Sequence, residues 1–436
     1  MSMIYDEKYE TMEREALSQV QLERLQTVLL RAERNVAFYR RAFGERGVRT
    51  DRITDLSGLA DLPFTTRADL RDSYPYGMFA VPLRDIVRIQ TTSGTTGRPV
   101  VVGYTRNDIR NWSLCMARIL AAGGVSDQDV IQIAFTYGLS SGAFGFHYGA
   151  ERLGASVIPA SSVSVDRQIA VMKDFKTSVL ACTPGLALAV ASALPGSGIG
   201  RVDLALKTGF LGAEPWSEGL RRGLEERLGI AALDIYGLTE IVGPGVAGEC
   251  PQRSGLHVNE DQFIAETVDP VTLRPVPPGV EGELVLTTIA KEGFPLIRYR
   301  TGDLTTIDAS PCACGRTTAR MKRVTDRLDD MITLGDVKLF PSQVEEALLA
   351  VQGVEPHYQI VVDRVAGMDV LEIRVEVSET LPGLDEMRVL QRIEDTAAGR
   401  IEAAVGLRPK VTLVEPRGLE RATAGKRRPV IDRRER

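Results

Sequence analysis

Over residues 87–305, short apolar runs alternate with stretches of helical spacing, and this alternation restricts the fold more than any other feature of the chain. Val130-Ile131-Gln132-Ile133-Ala134-Phe135 and Ser156-Val157-Ile158-Pro159 have the length and branching of strands, while residues 107–121 and 165–175 between and around them have helical spacing. Strands that alternate with helices predict α/β layers on a largely parallel sheet. The most apolar stretch, residues 179–194, is short for a bilayer span and is broken by Pro184-Gly185; it is expected to be a strand end followed by a buried helix. Residues 281–288 read as a further strand after a Pro/Gly-rich turn. Ahead of this body, residues 16–41 place Leu22, Leu25, Leu29, Ala32 and Val36 on one helical face, predicting one amphipathic helix.

After Asp330 the texture changes. Residues 343–351 and 389–404 read as helices, and residues 357–363, 369–377 and 411–415 as strands, a compact α+β unit of about a hundred residues. The expected fold is therefore α/β, a large N-terminal part followed by a small α+β domain; the family resemblance given below sets the bounds, a large N-terminal domain of several subdomains over residues 1–326 and a small C-terminal domain over residues 327–436.

A formal net charge of -5 over 436 residues gives no reason to expect nucleic-acid or membrane binding. The basic residues gathered at the end (Arg421, Lys426, Arg427, Arg428, Arg433, Arg434, Arg436) read first as a solvated tail. The start, MSMIYDEKYE, is too polar for a secretory leader. Five cysteines, an odd and sparse number, do not make a disulfide framework. A cytoplasmic enzyme is expected.

Thr91-Thr92-Ser93-Gly94-Thr95-Thr96-Gly97-Arg98-Pro99 follows the strand-like residues 86–89. Five hydroxyls and two glycines in nine residues make a poor core but a good phosphate cradle. Glycine allows close backbone approach, N–H and O–H groups donate to phosphate oxygens, and Arg98 adds fixed charge. The spacing is not that of a Walker A loop. Alone, the segment could equally be a flexible polar loop. It is followed by Tyr236-Gly237-Leu238-Thr239-Glu240, Arg298-Tyr299-Arg300-Thr301-Gly302-Asp303, Arg327-Leu328-Asp329-Asp330 and a late Gly425-Lys426. In this order and spacing the five segments resemble the core motifs of the adenylate-forming superfamily. Asn35-Val36-Ala37-Phe38-Tyr39-Arg40, Leu62-Pro63-Phe64-Thr65-Thr66, Gly212-Ala213-Glu214-Pro215-Trp216 and Phe340-Pro341-Ser342-Gln343-Val344-Glu345 narrow the resemblance to the phenylacetate-CoA ligase family, over nearly the whole chain.

The resemblance implies a reaction and a set of roles. A small-molecule carboxylic acid and ATP would give acyl-AMP and pyrophosphate; CoA, as co-substrate, would then give the thioester and AMP. Ser93, Gly94, Thr95, Thr96 and Gly97 would hold the phosphates, and Gly212, Ala213, Glu214, Pro215 and Tyr236, with Gly237 and Thr239 beside it, the adenine. Glu240 would hold Mg²⁺, which prefers carboxylate oxygen. Asp303 would accept from the ribose hydroxyls, and Arg327 would steady the nucleotide. Lys426 would stabilise charge between the carboxylate and the α-phosphate. Asp329 matches the hinge about which the C-terminal domain swings after adenylation. A homodimer is implied as well. Each carboxylate has a plainer reading as an ordinary surface group, and Lys426 as part of the solvated tail.

The substrate pocket is expected around Tyr137, Ser140, Ser141 and Gly142. Ser140 stands where the family usually has Phe, and Ser161-Ser162-Val163-Ser164 replaces a Gly-rich turn, so a bulkier or polar-substituted aryl acid is expected. Gln90 replaces a usual His, Arg98 a usual Lys and Asp326 a usual Gly. The departures at Ser140 and at Ser161 to Ser164 keep a second reading open, in which the acyl group passes to an amine or carrier-protein thiol, or another oxyanion is activated, without CoA. A non-catalytic nucleotide-binding relative is a third reading, against which Glu240, Asp303 and Lys426 argue.

Cys250 and His257 form one short cluster, and Cys312-Ala313-Cys314-Gly315 another. Three sulfurs and one imidazole suit tetrahedral Zn²⁺, and the family resemblance includes a similar pattern. Buried free thiols are the alternative. Gly243-Pro244-Gly245-Val246-Ala247-Gly248 matches G-x-G-x-x-G in letters, but Glu249-Cys250-Pro251 after it is no helix start, so no dinucleotide site is expected there.

Overall fold

The amphipathic segment near the start folds as two helices, Arg14–Asn35 and Ala37–Glu45, and not as one. Val36 between them is extended (φ -110°, ψ 113°). The break turns Tyr39 and Phe43 into the core, where the Tyr39 hydroxyl accepts the N–H of Ile297 (3.0 Å) and lies 3.1 Å from the Thr65 hydroxyl. A continuous helix would carry those rings elsewhere. The computed structural model describes residues 4–92, 98–335, 337–365, 368–378, 386–416, 418–419 and 430–434.

The strands of the body, in chain order, are β1 (Arg88–Thr91), β2 (Val101–Tyr104), β3 (Val130–Ile133), β4 (Ser156–Ile158), β5 (Val179–Cys182), β6 (Thr208–Gly212), β7 (Ala231–Leu238), β8 (Gly243–Glu249), β9 (Leu256–Val258), β10 (Phe263–Val268), β11 (Gly282–Thr288), β12 (Tyr299–Thr305), β13 (Ile307–Asp308) and β14 (Arg320–Met321). Nine of them form one sheet in the order β13-β14-β9-β8-β7-β6-β5-β3-β4. The run from β4 to β7 is parallel, and the pairings from β7 to β13 are antiparallel. The sheet is thus mixed. A parallel pair needs a crossover of about a dozen residues, and only Thr239, Glu240, Ile241 and Val242 separate β7 from β8. β10, β11 and β12 make a second, antiparallel sheet, and β1 and β2 a hairpin.

Helix Arg106–Ala122 opens on a capping box in which Thr105 and Asp108 exchange side-chain and backbone hydrogen bonds. It packs against helix Gly142–Leu153 and β8 at glycines: a Cβ on Gly149 would stand 2.5 Å from the Met116 Cβ, and one on Gly248 2.5 Å from Ile119 Cγ2. The main core runs through these elements and includes Trp112, Met116, Phe146, Phe210 and Tyr299.

Contacts group the chain into two units, one made of Met1–Thr183, Ala189–Ala213 and Gly229–Val324, the other of Pro184–Leu188, Glu214–Leu228 and Thr325–Arg436. The second unit contains β15 (Ile332–Leu334), β16 (Val337–Leu339), β17 (Val354–Val365), β18 (Met368–Val377), β19 (Lys410–Val414) and β20 (Val430–Asp432). Its four-stranded sheet has the order β19-β18-β17-β20. Helices Pro341–Leu349 and Met387–Val405 share an apolar core with it that includes Leu348, Ile360, Ile373, Ala397 and Ile401. Within this unit Ser217 donates to Glu345 (3.0 Å) and the N–H of Gly185 to Glu214 (2.7 Å). Among the described residues no helix is long and apolar enough to cross a membrane.

Candidate active site and a cysteine–histidine cluster

The first unit gathers several of the expected site residues at the carboxyl end of β7. Tyr236 donates its hydroxyl to Asp303 Oδ2 at 2.5 Å, across 67 residues of sequence. Asp303 is buried and Glu240 is 6% exposed, so neither is a surface carboxylate. Thr239 pairs with Ser141 through their hydroxyls at 2.8 Å. Gly212 ends β6 opposite Ile235; a Cβ there would lie 2.4 Å from the Ile235 carbonyl oxygen. At Gly237 a Cβ would fall 2.0 Å from the Gly243 carbonyl oxygen, so only glycine lets β8 close on β7 at this bulge. Ala213 follows with a left-handed backbone (φ 71°).

The Thr301-Gly302-Asp303 segment is a bulge. Its neighbours pair as Glu283↔Leu304 and Val285↔Arg300, so three residues of β12 stand opposite Leu284 alone. Gly302 supplies the positive φ (75°) the bend requires. The buried Glu283 carboxylate fills the gap: Oε2 accepts from Arg300 Nε (2.9 Å) and Nη2 (2.6 Å), and Oε1 from the N–H of Gly302 (3.1 Å). The Thr301 hydroxyl donates to the Leu284 carbonyl and accepts from the N–H of Asp303. The carboxylate expected to face a ribose is thus aimed by a second carboxylate on the neighbouring strand.

The turn that carries Glu240 is held from several sides. Arg67 Nε lies 3.8 Å from its carboxylate, and the Tyr104 hydroxyl donates to the Val242 carbonyl (3.2 Å). Trp112 Nε1 donates to the Pro244 carbonyl (2.6 Å). The buried Lys291 ammonium donates to the Ile241 carbonyl and lies 3.5 Å from that of Glu240. Desolvation pulls its pKa down to about 7 against the opposing pull of Asp108 and Glu240. Arg67, Lys291 and Glu283 were not singled out from sequence. Arg67, next to the Thr66–Asp69 capping box, had a local signal; the partners of the other two are fixed only by the fold.

Around the expected pocket, the Tyr137 hydroxyl lies 3.0 Å from His147 Nδ1, and the Tyr137 N–H donates to the Ser161 hydroxyl (3.3 Å). Burial raises the Tyr137 phenol above its ordinary range. Ser140 is exposed, with its carbonyl accepting from Gln90 (3.4 Å); Ser141 is buried, and Gly142 opens helix Gly142–Leu153 beside Phe135.

Glu214, Pro215, Arg327 and Asp329 belong to the second unit, where Leu328–Asp330 forms a single 3₁₀ turn with Asp329 exposed. Ser93, Gly94, Thr95, Thr96, Gly97 and Lys426 lie outside the described residues.

The two cysteine-bearing segments meet. The ligand atoms of Cys250, His257, Cys312 and Cys314 all lie within 4.8 Å of one another. Cys250 Sγ is 3.8 Å from Cys312 Sγ, and Cys314 Sγ is 3.4 Å from His257 Nε2. His257 Nδ1 sits 3.1 Å from the Thr318 hydroxyl, an orienting contact with no signature in the sequence. Hydrogen bonding from Cys250 lowers the pKa of Cys314 far below the thiol range and raises that of Cys250. The buried pair Arg316–Glu10 (2.8 Å) ties the start of the chain to the same loop.

The AMP-binding enzyme family matches residues 17–290, and its C-terminal domain family matches residues 336–434. A phenylacetate-coenzyme A ligase of Thermus thermophilus is 42% identical, covering 99% of this chain and 100% of its own. One of Escherichia coli is 43% identical, covering 93% and 92%. Among solved structures, 2-hydroxyisobutyryl-CoA ligase in the postadenylation state with 2-HIB-AMP matches with a TM-score of 0.92 at 30% identity, covering 98% of this chain and 92% of that one. Matched along nearly its whole length in sequence and in fold, this chain belongs to the AMP-binding enzyme family, in its phenylacetate-coenzyme A ligase branch.

Proposed function

We propose that this enzyme activates a substituted aryl carboxylic acid of the phenylacetate type. Family membership carries the reaction class: ATP and a carboxylic acid give acyl-AMP and pyrophosphate, and CoA then takes the acyl group with release of AMP. The observation that supports the reading most is the Tyr236–Asp303 hydrogen bond beside the buried Glu240 turn. Tyr236 and Glu240 stand four residues apart at the carboxyl end of β7, and Asp303 of β12 meets the Tyr236 hydroxyl there, an arrangement that supports this reading. In this reading Asp303 accepts from the ribose hydroxyls, Tyr236 and Gly212-Ala213-Glu214-Pro215 flank the adenine, and Glu240 holds the Mg²⁺ general to the family. Ser93, Gly94, Thr95, Thr96 and Gly97 cradle the phosphates, Arg327 steadies the nucleotide, Asp329 is the hinge between residues 1–326 and 327–436, and Lys426 neutralises charge as carboxylate attacks the α-phosphorus. Exposed Ser140 and the Ser161 and Ser162 hydroxyls near Tyr137 favour an acid with polar ring substituents.

The cysteine–histidine cluster is read as a structural zinc site. A tetrahedral zinc with bonds of about 2.3 Å to sulfur and about 2.0 Å to nitrogen separates sulfurs by about 3.8 Å and sulfur from nitrogen by about 3.5 Å. The Cys250–Cys312 and Cys314–His257 distances of 3.8 and 3.4 Å fit that shell. Four protein donors close it, which favours fold over chemistry. On family resemblance the assembly is read as a cytoplasmic homodimer, to be checked by sedimentation.

Pyrophosphate release across substituted benzoic, phenylacetic and cinnamic acids, with and without CoA, tests the reading. Acid-dependent pyrophosphate and CoA-dependent AMP release are expected. Adenylation with no response to CoA would favour an amine or carrier-protein acceptor. Adenylation that survives Lys426→Ala unchanged would refute the assigned chemistry.

A further inference from the structure

Lys291 follows β11 in a segment that no motif covers. Its ammonium is buried beneath the turn between β7 and β8, donating to the Ile241 carbonyl and standing 3.5 Å from that of Glu240. It sits 4.7 Å from the Tyr104 ring centroid and 5.2 Å from that of Phe294. No carboxylate lies within ion-pairing distance among the described residues; Asp108 and Glu240 act on it from farther away. The Asp108 carboxylate is engaged by the backbone N–H groups of Thr105, Glu292 and Gly293 at 2.7–2.9 Å, which fixes the lysine's own loop against helix Arg106–Ala122.

Burying an unpaired ammonium is costly, and an apolar side chain of similar length would fill the space at lower cost. Packing therefore does not account for a lysine here. What the ammonium provides is a pair of hydrogen-bond donations to the carbonyls of a turn whose first buried carboxylate is Glu240. Fixing these carbonyls fixes the backbone from which that carboxylate projects.

We propose that Lys291 is a positioning residue for the metal-binding turn, clamping the Glu240 and Ile241 carbonyls so that the Glu240 carboxylate is held ready for a divalent cation. This rests on the reading of Glu240 as the Mg²⁺ ligand. Residues that orient a metal ligand change metal affinity by about 10- to 100-fold when removed. A residue that only filled the core would lower thermal stability and leave the magnesium dependence alone.

The test is the Mg²⁺ concentration for half-maximal pyrophosphate release, beside the KM of the acid and the melting temperature, in Lys291→Met, Lys291→Gln and Glu240→Gln. Lys291→Met is expected to raise the Mg²⁺ requirement about tenfold with the acid KM unchanged within about twofold. Lys291→Gln, which keeps N–H donors without the charge, is expected to shift it about threefold in the same direction and serves if the Met variant does not fold. If Glu240→Gln moves the Mg²⁺ requirement and neither lysine variant does, the clamp is refuted and the ligand assignment stands. If Glu240→Gln leaves it unmoved, the ligand assignment falls first. A lysine variant that weakens acid and magnesium dependence equally also refutes the clamp.

Discussion

Glu283→Gln isolates the device that shapes the Thr-Gly-Asp bulge. The substitution keeps the volume and an oxygen able to accept the Gly302 N–H, but turns an amide toward Arg300, which now donates to one carboxylate oxygen through two nitrogens at 2.6 and 2.9 Å. Charge-assisted hydrogen bonds of this kind contribute about 1.5–3 kcal/mol. The Arg300 side chain is 27% exposed, so water recovers part of the loss, and about 2 kcal/mol is the expected net cost. At about 2–4 °C per kcal/mol for a unit of this size, the first unit should melt about 4–8 °C lower. A bulge with a slack anchor also holds Asp303 less firmly, so the KM for ATP should rise about tenfold, or about 1.4 kcal/mol. The acid KM should stay put, because Glu283 hydrogen-bonds Arg300 and Gly302, which are not among the expected pocket residues. Differential scanning fluorimetry with steady-state pyrophosphate release reads both quantities. A melting point within about 1 °C of the parent and an unchanged KM for ATP would show that the bulge keeps its shape without Glu283, and the reasoning would fail.

Tyr236→Phe removes the donor 2.5 Å from a buried carboxylate and is expected to raise the KM for ATP about three- to tenfold, with kcat kept within about twofold; a fall in kcat alone would refute the assigned role. Gly237→Ala forces a methyl against the Gly243 carbonyl and is expected to cost about 3 kcal/mol or to prevent soluble expression; wild-type melting would show that β7 and β8 can part freely. Purified protein is expected to carry one zinc per chain by elemental analysis. Cys314→Ser is expected to lose the metal and lower the melting temperature while the KM values at low temperature hold; equal loss of catalysis would point to a role beyond structure.

The sequence alone settled the character of the two folding units, because each local pattern carries its own period. Residues 130–135 and 156–159 read as strands and appear as β3 and β4, and residues 389–404 fall inside helix Met387–Val405. It also picked out the Tyr-Gly-x-Thr-Glu and Thr-Gly-Asp segments, whose glycines are required by backbone geometry at the point where they occur. Two errors came from weighting periodicity over connection and packing. Helical spacing ran straight through Val36, where burial of Tyr39 and Phe43 required a bend. A largely parallel sheet was expected although four residues between β7 and β8 leave no room for a crossover.

Glu283 against Gly302, Lys291 under Glu240, Thr318 on His257 and Arg316 on Glu10 were decided by tertiary structure alone. Each is a polar contact between segments 19 to 306 residues apart, and such contacts leave no period, spacing or composition in either segment. Chemistry-bearing residues announce themselves because the reaction restricts their type. The residues that aim them can be any side chain of sufficient reach, and which one does so is settled only when the chain has folded around it.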